Sequence, residues 1–382
     1  MISHFGDIGF FIYLVAVMIP AIWLGVTQRR IAPYGLVVSV LTIVLLLAEN
    51  RRQMALLGLF FAGEAALAWF HLRFLAARGR GHKAERRLVV VLALLPLALA
   101  KLNGIVDFPS LGFIGISYVT FRAVQVLLEM SDGLITEFRL TAYGYFLLFF
   151  PTLSAGPIDR SRRFEQDANV PPSREAYLRL LGQGLWWIVL GAGYKFGVGA
   201  LFEYGLAPDR PLSGSLIMYM YGYGFQLFFD FGGYSLMAAG TSLVFGIRTP
   251  LNFRYPFVAV SIKDFWNRWH ITLSFWLRDY VFSRLTLALI KRKIFANRST
   301  TGYVGFLANM TLMGVWHGTQ AQYLLYGTYH GVLMVFTDLY ETKLPLHRRF
   351  KSATWYRLVS IFVTFHLVMF GFLIFSGRLT AS

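Results

Sequence analysis

Residues 358–377 read Leu-Val-Ser-Ile-Phe-Val-Thr-Phe-His-Leu-Val-Met-Phe-Gly-Phe-Leu-Ile-Phe-Ser-Gly, a run without Asp, Glu, Lys or Arg. A helix needs about 20 apolar residues to cross a hydrocarbon core of roughly 30 Å. Five further uncharged runs approach or exceed this length: Ile8–Gln28, Ile31–Ala48, Leu140–Ile158, Pro211–Phe229 and Phe231–Ile247. The sequence therefore predicts an all-α polytopic membrane protein.

Composition narrows the functional classes. Of the 382 residues, 56% are hydrophobic and only 14% charged, whereas ordinary soluble domains carry roughly 25% charged residues. The net charge of +17 fits positive-inside bias and contact with anionic lipid headgroups, and it would also attract an acidic soluble partner. The charge lies in loops rather than on a folded basic domain, so nucleic-acid binding is not expected. Cysteine is absent, which excludes disulfides, thiolate metal sites and a cysteine acyl-enzyme.

Loop charges predict the orientation. Residues 1–7 contain no Lys or Arg, whereas the loop after the third predicted span is basic: Arg73, Arg78, Arg80, Lys83, Arg86 and Arg87. The positive-inside rule places that loop in the cytoplasm and the N-terminus outside. No repeat or soluble linker interrupts the chain, so we predict one integral-membrane domain over 1–382, with scaffold spans in 1–100.

Two histidines stand in unusual surroundings. His270 ends the segment Asp264-Phe265-Trp266-Asn267-Arg268-Trp269-His270, and His317 lies within Trp316-His317-Gly318. No Asp, Glu, Lys or Arg occurs between positions 299 and 337, so His317 is the first obvious titratable group in that apolar stretch. Ionisable residues at membrane depth are costly and are functional candidates. Catalysis and a structural role both remain open here; further metal ligands are scarce nearby, so no metal site is predicted.

Helical spacing groups the first histidine with two polar neighbours. Asn267, His270 and Ser274 are separated by steps of three and four, which predicts a short interfacial helix over Asp264–Tyr280 with one narrow polar stripe. The tryptophans of this segment favour the membrane interface.

Two other segments predict interruptions. Phe150–Arg160 contains two prolines and a glycine, which predicts a turn at or within the membrane. In Phe228–Tyr234, Asp230 separates two uncharged runs. This second interruption is either a short loop between two spans or a broken helix whose Asp230 pairs with an Arg or a helix terminus.

These patterns resemble the membrane-bound O-acyltransferase (MBOAT) family, and within it the DltB-type members of teichoic acid D-alanylation. The motifs that carry the likeness are Gln226–Ser235, Asp264–His270, Trp316–Gly318, Gly115–Arg122, Gly156–Arg160 and Ser274–Tyr280. They fall between residues 110 and 335, which we predict to be the catalytic core. One departure is Arg254, where relatives often carry Asn.

The resemblance implies a fold and a site. The fold is a ring of about 10–12 tilted transmembrane helices around a thinned centre, with a tunnel and short re-entrant or interfacial helices. His317 matches the catalytic histidine of the family, and His270 matches its usual polar partner. The expected substrate or tunnel residues are Asn267, Ser274, Trp316 and Asp230.

The resemblance also implies partners. D-alanyl members take the aminoacyl group from the phosphopantetheine thioester of an acidic carrier protein on the cytoplasmic face, with no tightly bound cofactor. The segment with Tyr280, Arg284 and Arg298 is similar to the region where that carrier docks. The acceptor is teichoic acid or an intermediary protein outside a bacterial cell membrane.

General chemistry agrees with this reading, because attack of a hydroxyl on a thioester needs a base and neutral imidazole suits that role. Two alternatives remain. The first is an O-acetyltransferase of an exported polysaccharide, and the second, of a different class, is a small-molecule transporter, since broken helices and polar stripes occur there too.

Overall fold

The chain is helical throughout the part that its structure covers. The computed structural model describes residues 4–79, 82–103 and 111–380, and in these ranges the secondary structure consists of helices and turns. The all-α prediction is thus confirmed. Four helical segments are long and apolar enough to cross a membrane: Ile8–Val26, Arg51–Arg78, Arg174–Leu206 and Thr354–Phe375. Ala32–Leu47 is a shorter apolar helix.

The helix bounds decide neither the predicted orientation of the N-terminus nor the predicted tunnel. Arg80, one of the basic residues behind the orientation, lies outside the described residues. The outward N-terminus, the ring of about 10–12 spans and the single domain therefore stay predictions.

The chain divides into two compact units, the first comprising residues 1–192 and 233–250. Side-chain oxygens begin two of its helices: Asp7 accepts from the backbone N–H of Phe10 at 2.8 Å, and Asn50 accepts from that of Gln53 at 3.0 Å. Such caps satisfy backbone donors that a helix leaves free at its N-terminus. The helices are α1 (Ile8–Val26), α2 (Ala32–Leu47), α3 (Arg51–Arg78), α4 (Lys83–Leu102), α5 (Ile116–Ser131), α6 (Leu140–Leu148), α7 (Ser161–Asn169) and α8 (Arg174–Ala192).

Helix α5 is the buried centre of the first unit and carries a buried arginine. Arg122 is 1% exposed. Its guanidinium donates to the carbonyl oxygens of Phe146, Leu147 and Thr152 at 3.2, 3.3 and 2.7 Å, and to Thr152 Oγ1 at 2.5 Å. These acceptors belong to the end of α6 and to the turn after it. The predicted turn at Phe150–Arg160 is confirmed. The Arg122 guanidinium supplies the hydrogen-bond donors that the backbone of this turn lacks.

The second unit comprises residues 193–232 and 251–382. It contains π-helical turns at Gly193–Gly199 and Arg278–Phe282. Its helices are α9 (Ala200–Leu206), residues 216–232 of α10 (Leu216–Val244), α11 (Ile262–Trp266), α12 (Ile271–Leu277), α13 (Ser283–Lys291), α14 (Arg298–His317), α15 (Ala321–Lys343), α16 (Pro345–Phe350) and α17 (Thr354–Phe375).

Helix α10 corrects a prediction. The uncharged runs on both sides of Asp230 form one continuous helix of 29 residues, and neither a loop nor a helix break occurs at Phe228–Tyr234. The Asp230 carboxylate forms an ion pair with the Lys195 ammonium, which belongs to the π-helical turn. Because the charge is neutralised by a side chain, the helix needs no interruption to accommodate it.

Replacing Arg122 with Met tests whether this residue holds the turn after α6. The variant leaves the carbonyl acceptors without donors, and each unsatisfied buried group costs about 1–3 kcal/mol. We expect the apparent melting temperature of the purified protein in detergent to fall by at least about 5 °C. The matched control is Arg52→Met, an exposed arginine on α3, which should change the melting temperature by about 1 °C or less. Equal shifts in the two variants would contradict this role.

Candidate active site

His317 is positioned by two helices that approach closely through glycine. It is the last residue of α14, and α15 begins at Ala321. A Cβ on Gly314 would meet the carbonyl oxygen of Tyr323 and lie 3.0 Å from the Cα of Gly327. A Cβ on Gly327 would meet the carbonyl oxygen of Met310. Only glycine fits at these two positions, so backbone contact between α14 and α15 fixes where His317 stands.

The half-buried His317 ring is surrounded by aromatic side chains. Its centroid lies 4.6 Å from that of Trp316 and 4.9 Å from that of Phe375, which it meets edge to face. Tyr323 and Tyr326 of α15 follow at 6.2 and 6.3 Å. An imidazole in such a setting is screened from bulk water by rings, which strengthens its electrostatic interactions.

His270 occupies a turn rather than a helix face. Helix α11 ends at Trp266 and α12 starts at Ile271, and His270 between them has left-handed backbone angles of φ 44° and ψ 49°. The prediction of one helix over Asp264–Tyr280 is therefore wrong, and Asn267, His270 and Ser274 do not share a helical stripe. A left-handed conformation costs a non-glycine residue roughly 1–2 kcal/mol, so neighbouring contacts must hold it.

Asn252 provides such contacts. It is buried, and its backbone carbonyl oxygen accepts a hydrogen bond from the backbone N–H of Ile271 at 2.9 Å. Its side-chain oxygen accepts from Thr272 Oγ1 at 2.6 Å. The segment around Asn252 thus anchors the two residues that follow His270. Sequence reasoning assigned Asn252 no role; the only signal was an amide side chain between the apolar residues Leu251 and Phe253.

The two histidines flank the indole of Trp316. The ring centroids of His270 and Trp316 are 6.1 Å apart, and Phe231 packs edge to face on His270 at 4.8 Å. His270 is 3% exposed. Its Nδ1 has no hydrogen-bond partner in the described part of the chain. A buried ring nitrogen without a partner is available to a substrate group, because leaving it unsatisfied is unfavourable.

Asn267 and Ser274 line a separate cavity of about 200 Å³. Trp266 and Asn309 line it too, and among the described residues Trp266 Nε1 and Asn309 Oδ1 have no hydrogen-bond partner. Arg278 and Lys263 also border the cavity, and its remaining lining is mostly apolar. Two residues of the lining therefore carry a buried polar atom without a hydrogen-bond partner. Neither histidine is among the described residues that line it.

Asp230 is occupied elsewhere. Its carboxylate binds Lys195, whereas the next residue, Phe231, contacts His270. The structure thus brings His270, Trp316 and His317 together, groups Asn267 with Ser274 around the cavity, and gives Asp230 a different neighbour. The substrate and tunnel roles of Asn267, Ser274, Trp316 and Asp230 stay predictions.

The predicted docking segment presents a surface of mixed character. The Tyr280 ring is tilted against that of Trp276, with centroids 5.2 Å apart, and the Arg284 guanidinium lies 5.8 Å from the centre of the Tyr280 ring. Four exposed cations follow: Lys291, Arg292, Lys293 and Arg298. Exposed apolar side chains lie among them: Leu287, Ile290 and Ile294. In the described ranges these four cations have no carboxylate within ion-pair distance, so their charge is available to a partner.

A metal site needs several ligand side chains close together. Within residues 4–79, 82–103 and 111–380, no three His, Asp or Glu side chains lie together in a way that could hold a metal ion.

The sequence of the chain is similar to those of known proteins. The MBOAT, membrane-bound O-acyltransferase family model matches residues 40–377. The chain is 39% identical over 388 residues to the teichoic acid D-alanyltransferase of Bacillus subtilis (strain 168), covering 97% of this chain and 96% of that protein. It is equally 39% identical to the Streptococcus thermophilus teichoic acid D-alanyltransferase, covering 99% and 96%. It is 32% identical to the probable alginate O-acetylase AlgI of Azotobacter vinelandii, covering 84% and 66%.

Exchanging Gly314 for Ala tests the contact between α14 and α15. The added methyl group meets backbone that cannot move away, so we expect the melting temperature in detergent to fall by several degrees, from an overpacking cost of about 1–3 kcal/mol. Gly302→Ala on the same helix is the matched control, since a Cβ there meets nothing within 4 Å. It should be neutral or stabilising, because alanine favours helix over glycine. Equal stability of the two variants would refute the proposed constraint.

Proposed function

The chain belongs to the membrane-bound O-acyltransferase family, and on this premise we propose that it transfers D-alanine to a hydroxyl group of teichoic acid. The supporting observation is the share of each relative's length that aligns with this chain. The similar D-alanyltransferases align over nearly their whole length, whereas the alginate O-acetylase aligns over 66% of its own. The proposed place of this reaction is a bacterial cell membrane, with the N-terminus outside.

In the proposed mechanism His317 is the general base. The hydroxyl oxygen of the acceptor bonds to the alanyl carbonyl carbon as the carbon–sulfur bond of the thioester breaks. His317 takes the hydroxyl proton and returns it to the departing thiolate. The observation that carries this proposal is the pair of imidazoles on either side of Trp316, enclosed by aromatic rings. Such an aromatic setting suits proton transfer, because it strengthens the electrostatic interactions of the imidazole.

His270 has a different proposed role. Its buried Nδ1 lacks a partner among the described residues, and the left-handed turn anchored by Asn252 holds the ring in place. We assign it to orientation of the reacting carbonyl or to stabilisation of the oxyanion. A donor fixed before the reaction starts contributes more than one that must reorganise.

The thioester arm of a carrier protein is the proposed donor. A pantetheine chain carries amide groups, and two residues that line the cavity beside Asn267 and Ser274 have a polar atom without a hydrogen-bond partner among the described residues, the N–H of Trp266 and the side-chain carbonyl oxygen of Asn309. The carrier itself would bind the exposed cations and apolar side chains from α13 to the start of α14, with Tyr280, Arg284 and Arg298. Opposite charges speed such encounters. The acceptor side is teichoic acid or an intermediary protein.

Removing the His317 imidazole tests the mechanism. In membranes reconstituted with charged carrier and labelled D-alanine, His317→Ala should lower kcat by about 10²–10⁴-fold, the usual contribution of a general base. His366→Ala is the control, because His366 on α17 forms its hydrogen bond with the carbonyl of Phe362 one turn earlier on the same helix, and it should retain activity. Full activity of His317→Ala would exclude this base. Labelled acetyl groups in place of D-alanine distinguish the O-acetyltransferase alternative.

Reversing charge on the docking surface tests the donor. Arg292→Glu together with Arg298→Glu should raise KM for an acidic carrier roughly tenfold at low salt and flatten its salt dependence. An acidic residue at the start of α14 is tolerated, since negative charge favours a helix N-terminus. The control Arg51→Glu with Arg52→Glu makes the same charge change on α3 and should leave KM unaltered. A KM unaffected by the first pair would remove this surface from the proposal.

A further inference from the structure

The second unit contains a large groove that is lined mainly by residues of α15, α16 and α17. It has a volume of about 870 Å³, within the roughly 300–1,000 Å³ typical of ligand sites. Helices α15, α16 and α17 and the segment before and within α11 form its walls. The groove includes neither His270 nor His317 among its described lining residues.

One wall of the groove is apolar and exposed. Phe336 of α15 is 62% exposed, and Val359 and Val363 of α17 are 52% and 48% exposed. All three line the groove. Helix α17 is one of the segments apolar enough to cross the membrane. The α17 part of this wall is therefore apolar enough to face hydrocarbon chains.

The opposite end of the groove carries unneutralised positive charge. Lys343, Lys351 and Arg357 line it, are exposed, and have no carboxylate within ion-pair distance in the described ranges. The two acids at the groove are already engaged, Glu341 by Lys263 at 2.8 Å and Asp264 by Arg268 at 2.8 Å. An anionic group would thus meet cations without meeting a free carboxylate.

Polar side chains continue this end. The His347 Nδ1 shares a hydrogen bond of 3.0 Å with the Tyr356 hydroxyl, and Tyr356 donates to the Tyr340 hydroxyl at 2.8 Å. All three line the groove. The chain of hydrogen bonds holds aromatic hydroxyl groups beside the cations, a combination suited to the phosphate and glycerol oxygens of a lipid headgroup.

We propose that this groove binds one anionic phospholipid of the surrounding bilayer. Its acyl chains lie along Phe336, Val359 and Val363, and its phosphate lies beside Lys343, Lys351 and Arg357. A soluble anion would leave the apolar wall unused, and a zwitterionic lipid such as phosphatidylcholine would bring a positively charged group beside the cations. The lipid is neither acyl donor nor acceptor, so the proposal does not depend on the reaction proposed above.

Photolabelling of the purified full-length protein tests this assignment. The probes are phosphatidylglycerol and phosphatidylcholine with the same photoreactive acyl chain, titrated in neutral detergent. We expect phosphatidylglycerol to label peptides of α15 and α17 at lower concentration. Because each basic residue contributes about fivefold in lipid affinity, Lys351→Gln with Arg357→Gln should weaken phosphatidylglycerol labelling roughly 30-fold. Arg51→Gln with Arg52→Gln is the control and should not change it.

A second pair of variants examines the acyl chains. Val363→Trp fills the groove and should reduce labelling by phosphatidylglycerol at least about fivefold. Leu358→Trp adds the same side chain to an exposed position of α17 outside the groove and should leave labelling intact. The proposal is overturned if phosphatidylcholine labels as well as phosphatidylglycerol, if glycerol phosphate displaces the probe as effectively as unlabelled lipid, or if control and groove variants behave alike.

Discussion

The close approach of α14 and α15 is the constraint on which the candidate site depends. Apolar lipid gives two helices no hydrophobic reason to associate, so contact between them depends on shape. Gly314 and Gly327 remove the side chains that would hold the backbones apart. The short connection after His317 then has room to turn, and the ring is left facing Trp316, Phe375 and Tyr326. One missing methyl group on each helix thus decides where the imidazole stands.

Irregular backbone is the second recurring feature of the structure, and at each such place one polar residue stabilises it by hydrogen bonds. Backbone groups at membrane depth need partners inside the protein. Arg122 supplies donors to the carbonyl groups at the turn after α6. Asn252 does the corresponding work for the turn at His270, where it accepts from the backbone of Ile271 and from Thr272. In both places a buried polar residue allows the chain to depart from a helix.

Helix α15 connects the features of the second unit. Gly327 packs on α14 near the histidine, and Asp338 and Glu341 hold Lys263 of α11 at 2.6 and 2.8 Å. Lys263 borders the 200 Å³ cavity, while Glu341 borders the 870 Å³ groove. Hydrogen bonds to Asp338 and Glu341 outweigh the effect of burial and raise the pKa of Lys263. This ammonium therefore stays charged at neutral pH, and the link between α11 and α15 persists.

The sequence by itself determined the helical class, the membrane setting and the family, because hydropathy and short motifs are properties of neighbouring residues. It also singled out the two histidines, whose roles stay predictions. It also indicated the turn at Phe150–Arg160, since proline acts locally. Only the tertiary structure decided that Asp230 lies within a continuous helix, because its partner Lys195 is distant in the chain. The same holds for the left-handed turn at His270. Helical spacing predicted a stripe there, but contacts from Asn252, 18 residues earlier, stabilise a conformation that local preference disfavours.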